Sequence, residues 1–142
     1  MQEFIQNRKA RFNYYLIDKY RAGIVLKGSE VKSIRAHKAS ISEAYCYFID
    51  GELYLRNAFI SSENNEMFAH KEIYDRKLLL SKNELKRLQK GSMVKGYTIV
   101  PTSIEINNPG YIKVNIALAE GKHNYDKRNT IKERDLDREN KF

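Results

Sequence analysis

The chain of 142 residues has few of the side chains that form disulfide bonds or bind structural metal ions. Cys46 is its only cysteine, so no internal disulfide can form and no cysteine-based metal cage can be built. No apolar run is long enough for a membrane span, and residues 1–11 carry Arg8, Lys9 and Arg11 but no apolar signal-peptide core. We therefore expect a cytoplasmic protein with no membrane attachment and no bound metal.

Residues for catalysis are also scarce. The three histidines, His37, His70 and His123, lie far apart in the sequence, and no pattern joins one of them to a nucleophile. The strongest enzymatic interpretation is a magnesium-dependent nuclease that uses Asp18 with the Glu30-Val31-Lys32 triplet. Such triplets are common by chance, and Glu30 also suits the first turn of a helix. We predict no enzyme and no cofactor.

Positive charge is abundant, with 26 lysines and arginines against 18 acidic residues and a net charge of +8. Residues 1–120 carry 19 basic and 13 acidic residues, a net +6, and residues 121–142 carry 7 and 5, a net +2. Together with 10 tyrosines and 6 phenylalanines, this charge is typical of a nucleic-acid-binding protein. The alternative is a protein whose charge only keeps it in solution.

Apolar alternation with strand periodicity dominates the chain as far as Glu120. Asp50-Gly51 lies between two such runs and predicts a hairpin with a type I′ turn. The predicted strands cover residues 14–17, 22–26, 45–49, 52–60, 96–106 and 111–119. Because there is no βαβ alternation, we predict a mainly-β protein with an OB-fold-type closed six-stranded antiparallel barrel.

Two stretches predict short helices beside the strands. Ser29 as N-cap, with Glu30 in the first turn, predicts a helix that ends near Ala36. Ser81 to Glu84 has the form of a capping box, with Gly91 as the stop. The prediction is two or three short helices.

The composition changes at Gly121. Residues 129–142 contain only Ile131, Leu136 and Phe142 as apolar anchors, too few to offset the entropy of ordering the chain. Oppositely charged residues recur there at three-residue spacing, which favours a helix once RNA neutralises the excess charge. We predict a body at 1–120 and a basic tail at 121–142 that is disordered when free and becomes helical when it binds RNA. A merely solubilising tail remains the alternative.

Several stretches resemble one family, small protein B, the SsrA-binding protein that partners transfer-messenger RNA in bacterial trans-translation. The resemblance runs from Asn7 to Arg134, in the family's order and spacing. The stretches that carry it are Asn7-Arg8-Lys9-Ala10-Arg11, Ala22-Gly23-Ile24, Gly28 to Arg35, Arg76-Lys77-Leu78-Leu79-Leu80, Gly121 to Arg128 and Ile131-Lys132-Glu133-Arg134.

The resemblance implies an OB-fold body without enzymatic activity. Such a body binds the tRNA-like domain of transfer-messenger RNA and delivers it to the A site of stalled ribosomes, where peptide tagging follows. The implied partners are transfer-messenger RNA and the 30S subunit, with its 16S rRNA, decoding centre and mRNA channel. Elongation factor Tu and alanyl-tRNA synthetase are implied indirectly, through the RNA. The alternative is a general OB-fold RNA-binding or RNA-chaperone protein without a dedicated RNA partner.

The resemblance also implies site residues. By position, Arg21, Gly23, Leu79 and Ser81 inherit contacts to transfer-messenger RNA. On charge grounds we add Lys32, Arg35, Arg76, Lys77 and Lys95 as phosphate contacts. The residues implied at the ribosomal decoding centre are Gly121, Lys122, His123, Tyr125, Asp126, Lys127 and Arg128, with Gly121 allowing a turn out of the barrel.

Arg21, His37 and Ser81 depart from the family pattern, and Ser81 replaces a more usual asparagine or histidine. Arg21 stands where the family usually carries a glutamate, so its contact should be with phosphate or a base edge. His37 follows Ala36 where the family usually has glycine, at a position after a helix that favours the left-handed conformation. Histidine is among the less unfavourable replacements there.

Overall fold

The computed structural model describes residues 2–62, 71–107, 110–123, 125, 127 and 128, with the side chains of residues 2–4 excepted. The three helices of this part are α1 (Arg8–Asn13), α2 (Gly28–Arg35) and α3 (Lys82–Ser92). Its strands are β1 (Gln2–Gln6), β2 (Tyr14–Ile24), β3 (Ala39–Ser40), β4 (Tyr45–Ile49), β5 (Glu52–Arg56), β6 (Phe59–Ile60), β7 (Arg76–Leu79), β8 (Tyr97–Ile106) and β9 (Ile112–Gly121).

Six of these strands close into a ring in the order β2, β7, β5, β4, β8 and β9, with β9 pairing back onto β2. Every pairing is antiparallel. The shortest pairing in the ring is the one between β4 and β8, which has one register pair, Cys46 with Ile99. The OB-type, mainly-β fold predicted from the alternation is confirmed.

Alternate side chains of the ring fill its interior with aliphatic residues. Leu53, Leu78, Val114 and Ile116 are each fully buried there. Cys46 lies in the same core, and burial raises the pKa of its thiol far above the usual range. A thiol held neutral by burial is a poor nucleophile.

The longest strands are continuous where the sequence suggested a break. Residues 14–17 and 22–26 were predicted as two strands, but β2 runs through Asp18 to Arg21 because β9 pairs with it along its whole length. Ile17 is the extra residue of a β-bulge in this pairing. A long partner strand therefore overrides the local polarity of the sequence.

The first helix was missed by the sequence analysis. Asn7 caps α1 by accepting from the Ala10 N–H, and its buried amide donates to the carbonyls of Ile41 and Pro101 at 3.1 and 2.8 Å. Ala10 then packs with Val100 and Ala119 on the outside of the ring. The cluster explains why β9 is buried on both faces from Ile116 to Ala119, where simple alternation was predicted.

The turns and caps follow the sequence closely, with two corrections. Asp50 and Gly51 have φ values of 49° and 79°, as a type I′ turn requires, and His37 adopts the left-handed conformation with φ of 58°. The N-cap of α2 is Lys27, not Ser29. Gly91 does not stop α3 but lies inside it, where an added Cβ would lie 2.5 Å from the Leu118 side chain.

The expectations for the tail concern mostly residues 129–142, which lie outside the described part of the chain. The last strand, β9, extends to Gly121, the first residue of the predicted tail. Within the described ranges, no helix has the length and apolarity needed to cross a membrane.

Candidate nucleic-acid interface

A surface that we call the Gly23 patch lies on the outer face of the ring and comprises Gly23, Lys77, Leu79 and Lys113. Gly23 pairs in register with Leu79 of β7 on one side and with Lys113 of β9 on the other. A Cβ added at Gly23 would lie 3.3 Å from the Leu79 Cβ and 3.7 Å from the Lys113 Nζ. The absence of a side chain lets an apolar residue and a cation approach each other over the strand.

The patch offers an exposed apolar surface beside positive charge. Leu79 is 51% exposed, so its aliphatic side chain is accessible to a ligand. Lys77, two residues before it, carries its ammonium 3.8 Å from the Glu52 carboxylate, and both side chains are more than a third exposed. Such a pair is weak in water, so the lysine is available to a phosphate.

A row of tyrosines continues the same outer face. Tyr54 pairs with Lys77 across β5 and β7, and its ring centroid lies 6.4 Å from that of Tyr47. Tyr45 follows at 6.2 Å from Tyr47. The Arg56 guanidinium lies 4.0 Å from the centroid of the Tyr47 ring, a cation–π geometry. The outer face thus interleaves aromatic and basic side chains, as RNA-binding surfaces do.

Beneath the patch lies a buried ion pair between Glu30 of α2 and Arg76 of β7. The two side chains are fully buried, with the Arg76 Nε 2.5 Å from a Glu30 carboxylate oxygen. The Tyr74 hydroxyl donates to the other oxygen at 2.5 Å, and Arg76 also donates to the Ala58 carbonyl at 2.9 Å. No RNA can reach this guanidinium, so the prediction of Arg76 as a phosphate contact is wrong.

The Glu30 carboxylate stays ionised in this setting. Burial raises its pKa, but hydrogen bonds from the Tyr74 hydroxyl, the Lys27 N–H and Arg76, together with the charge of Arg76, lower the pKa more, and it lies below its usual value of 4.5. The Lys27 N–H bond, at 2.8 Å, fixes the first turn of α2. The pair therefore ties the start of α2 to the strand that carries Lys77 and Leu79.

The same geometry removes the basis for the nuclease interpretation. Both Glu30 oxygens are engaged by protein donors, and Asp18 is exposed on β2. Across the described ranges, no three histidine, cysteine, aspartate or glutamate side chains come together in a way that could hold a metal ion. Glu30 has a structural reason for its position.

The basic face of α2 lies at the same end of the ring as the Gly23 patch. Lys32 and Arg35 are both exposed, as predicted. The Arg35 Nη2 lies 3.4 Å from the Gly110 carbonyl, at the turn that joins β8 and β9. Gly110 has a φ of 118°, and an added Cβ would lie 2.9 Å from that nitrogen. The positive φ favours glycine there, whereas the tip of the Arg35 side chain could move away from an added Cβ.

Arg21 is held by an acidic partner. Its Nη2 donates to the Glu105 carboxylate at 2.8 Å, and the same carboxylate accepts from the Asn115 amide at 2.6 Å. Arg21 lies two residues before Gly23 on β2 and therefore on the same face of the strand. It adjoins the Gly23 patch, but its side chain is directed across β9 to β8.

The structure gives Ser81 a capping role as well, and it places Lys95 elsewhere. Ser81 caps α3, since its Oγ accepts from the Glu84 N–H while Glu84 accepts from the Ser81 N–H at 3.1 Å. Lys95 precedes Tyr97, which pairs with Glu120 at the far end of the β8–β9 hairpin from Gly110. With about 3.3 Å per residue, the hairpin separates Lys95 from Arg35 by about 30 Å. The structure does not bring Lys95 to the Gly23 patch.

A second surface, the C-terminal segment, begins at that far end and comprises residues 121–123, 125, 127 and 128. Gly121 pairs with Tyr14 as the last residue of β9 and has no positive φ, so the predicted turn at this glycine is wrong. Lys122 donates from its N–H to the Asn13 carbonyl at 2.8 Å and from Nζ to the Arg11 carbonyl at 3.2 Å. These contacts hold the exit from the ring.

Beyond that exit, aromatic surface is exposed. The rings of His123 and Tyr125 stack with centroids 5.7 Å apart and planes 9° apart, and Tyr125 is 64% exposed. The Lys127 N–H donates to the His123 carbonyl at 3.2 Å, and Arg128 is exposed. Asp126 lies outside the described residues. Stacking surface and charge are therefore presented together, away from the Gly23 patch.

Comparison with known proteins places the chain in a family. The family model described as "SmpB protein" matches residues 4–141. The chain belongs to the SmpB family. A protein named "SsrA-binding protein" from Cytophaga hutchinsonii is 52% identical over 136 residues, covering 95% of this chain and 89% of that one. One of the same name from Acholeplasma laidlawii is 49% identical over 140 residues, covering 98% and 93%.

A solved structure supports the same assignment. Its description reads "tmRNA-SmpB: a journey to the center of the bacterial ribosome", and it matches with a TM-score of 0.71 and 42% identity. The match covers 89% of this chain and 93% of that one. The resemblance read from the motifs is confirmed over nearly the whole SmpB chain.

Sequence reasoning did not identify Lys113, Tyr45 or Tyr47 as part of this surface. Lys113 was placed on the polar face of its strand, but only the register between β2 and β9 brings it to Gly23. The tyrosines lie at alternate positions of a predicted hairpin, a signal that composition alone cannot separate from ordinary rim tyrosines.

Proposed function

We propose that the chain binds the tRNA-like domain of transfer-messenger RNA and delivers it to the A site of stalled ribosomes for trans-translation. The observation that carries the proposal is SmpB family membership along residues 4–141. The exposed apolar and basic Gly23 patch supplies a surface of suitable chemistry. This function would place the protein in the cytoplasm, acting as a binding partner and not as an enzyme.

The Gly23 patch would hold the RNA by shape and charge. Leu79 gives an apolar plane on which an unstacked base can rest. Gly23 is itself buried, and its lack of a side chain lets Leu79 and Lys113 lie close together above it. Lys77 and Lys113, with Lys32 and Arg35 of α2, would contact phosphates on either side. Elongation factor Tu and alanyl-tRNA synthetase would join through the RNA, without a surface of their own on this chain.

The C-terminal segment would act at the small subunit. Lys122, Lys127 and Arg128 supply charge, and the His123–Tyr125 stack supplies an aromatic platform for ribosomal RNA of the decoding centre. Residues 129–142 would follow into the mRNA channel. Deleting residues 129–142 is expected to leave affinity for the tRNA-like domain within twofold while abolishing peptide tagging in a stalled-ribosome translation assay. Unchanged tagging would show that residues 129–142 are not needed for this function.

Competition tests the dedicated partner. Labelled transfer-messenger RNA bound to the protein is titrated with unlabelled bulk tRNA and, separately, with unlabelled transfer-messenger RNA. A wide margin in favour of transfer-messenger RNA is expected. Equal competition by the two RNAs would instead favour the alternative, a general OB-fold RNA-binding or RNA-chaperone protein.

Salt dependence tests the individual phosphate contacts. Lys77→Ala and Arg35→Ala should each reduce the slope of log K against log salt by about one, because each lost phosphate contact releases about one counterion fewer. Arg76 provides no such test, since its guanidinium is buried. An unchanged slope in either variant would show that its side chain faces solvent and contacts no phosphate.

A further inference from the structure

A groove on the outer face of the ring lies where strands β2, β8 and β9 run side by side. Its volume is about 350 Å³, within the range of sites that hold small ligands or single groups of a larger one. The polar side chains that line it are Arg11, Lys19, Arg21, Thr102, Glu105 and Asn115. We call this set the basic groove.

The charge of the basic groove is positive in spite of its one acid. Arg11, Lys19 and Arg21 are exposed cations from α1 and β2, whereas Glu105 is the one carboxylate of the lining, with its side chain 14% exposed. Glu105 fixes the Arg21 guanidinium from below at 2.8 Å. Since a guanidinium has five donors, a partner on one nitrogen orients the rest without using them up.

Two β-bulges shape the groove. Thr102 is the extra residue of the bulge between β8 and β9, and Ile17 is the extra residue of the bulge between β2 and β9. Both bulges face β9, which supplies Asn115 to the groove. A bulge twists its strand and redirects the following side chains, which is why bulges are frequent beside binding sites. Thr102 and Lys19 owe their positions to them.

The basic groove also adjoins both surfaces described above. Arg21 lies two residues from Gly23 along β2, and the Arg11 carbonyl accepts from the Lys122 Nζ at 3.2 Å. A chain of phosphates that touches the Gly23 patch and runs along β9 toward the C-terminal segment would cross this groove. Spaced cations with amide and hydroxyl groups between them suit a phosphodiester backbone better than an apolar partner.

We propose that the basic groove is a third RNA-contacting site, which binds phosphates of an RNA backbone through Arg11, Lys19 and Arg21, with Asn115 and Thr102 as neutral hydrogen-bonding groups. The inference rests on the proposed function, since it adds a site to a chain that already binds RNA. The phosphates belong either to transfer-messenger RNA or to ribosomal RNA, and the two arms of the test distinguish these sources.

The test compares two double variants of the full chain that remove the same charge. Arg11→Gln with Lys19→Glu changes the basic groove, whereas Lys86→Glu with Arg87→Gln changes exposed residues of α3. One arm measures affinity for the isolated tRNA-like domain across a salt series. The other measures binding of the protein to purified 30S subunits in the absence of transfer-messenger RNA. Thermal unfolding checks that both variants fold.

The groove variant is expected to bind about tenfold more weakly in at least one arm and to lower the salt slope there by about two. The α3 variant should stay within twofold of the wild type. Loss in the first arm assigns the phosphates to transfer-messenger RNA, and loss in the second assigns them to ribosomal RNA. If the groove variant and the α3 variant bind with equal affinity in both arms, the basic groove is not an RNA-binding site. If the wild type fails to prefer transfer-messenger RNA over bulk tRNA, it is the proposed function that fails.

Discussion

Strand β9 borders the Gly23 patch through Lys113 and leads into the C-terminal segment at Gly121, and the two surfaces are supported in different ways. The patch rests on the fully buried Glu30–Arg76 pair. The segment is held at its exit by the hydrogen bonds of Lys122, and its His123–Tyr125 stack is open to solvent.

The two surfaces should therefore respond to different kinds of substitution. Changes in the interior of the ring should damage the patch, because its strands depend on buried contacts. Changes at exposed aromatic residues should damage the segment without affecting the body. The predictions below test this separation.

The largest effect is expected from Glu30→Gln. The substitution keeps the size of the side chain but leaves the Arg76 guanidinium buried without a countercharge, which costs about 3–5 kcal/mol of unfolding free energy. Urea denaturation measures the loss. Glu84→Gln is the matched control, because it removes the charge of the α3 capping box but keeps its hydrogen bond, and it should cost about 0.5 kcal/mol.

A second substitution separates charge from shape in the same place. Combining Glu30→Gln with Arg76→Met removes both charges, and much of the lost stability should return. If the double variant is as unstable as Glu30→Gln alone, the ion pair is not what supports the Gly23 patch.

Acid should weaken the same contact. Because the folded-state pKa of Glu30 lies below its usual value of 4.5, the pair stabilises the fold fully above that pH, and the contribution is lost as the pH falls through the folded-state pKa. The unfolding free energy of the wild type should therefore decrease more steeply below pH 4.5 than that of Glu30→Gln. Parallel pH profiles for the two proteins would argue against an ionised Glu30.

A smaller effect is expected at the surface of the patch. Leu79→Ala removes an apolar side chain that is 51% exposed, so stability should change by less than about 0.5 kcal/mol. Affinity for the tRNA-like domain should fall about fivefold, which corresponds to about 1 kcal/mol. Met93→Ala, at a residue 77% exposed next to α3, is the control and should bind as the wild type does. If the two variants bind the tRNA-like domain equally well, Leu79 does not contact the RNA.

Much of the fold was predictable because local signals agreed with long-range ones. The Asp50-Gly51 turn, the Ser81 capping box and the β8–β9 hairpin all depend on residues close in sequence. The continuity of β2 and the burial of Arg76 were not predictable in this way, because they depend on partners about 50 to 100 residues distant. Charge alone cannot show whether an arginine points outward.

The candidate site divides in the same manner. The motifs located Gly23, Leu79 and residues 121–128, since their order along the chain carries the family pattern. Lys113 and the pairing of Arg21 with Glu105 became visible only through the strand register.

One measurement tests the separation of the two surfaces most directly. Leu79→Ala and Tyr125→Ala are each assayed for affinity to the tRNA-like domain and for peptide tagging on stalled ribosomes, at protein concentrations that saturate the RNA. Leu79→Ala should lose affinity but tag normally once the RNA is saturated, and Tyr125→Ala should keep full affinity but tag poorly. Loss of affinity in Tyr125→Ala, or normal tagging by it, would contradict the account.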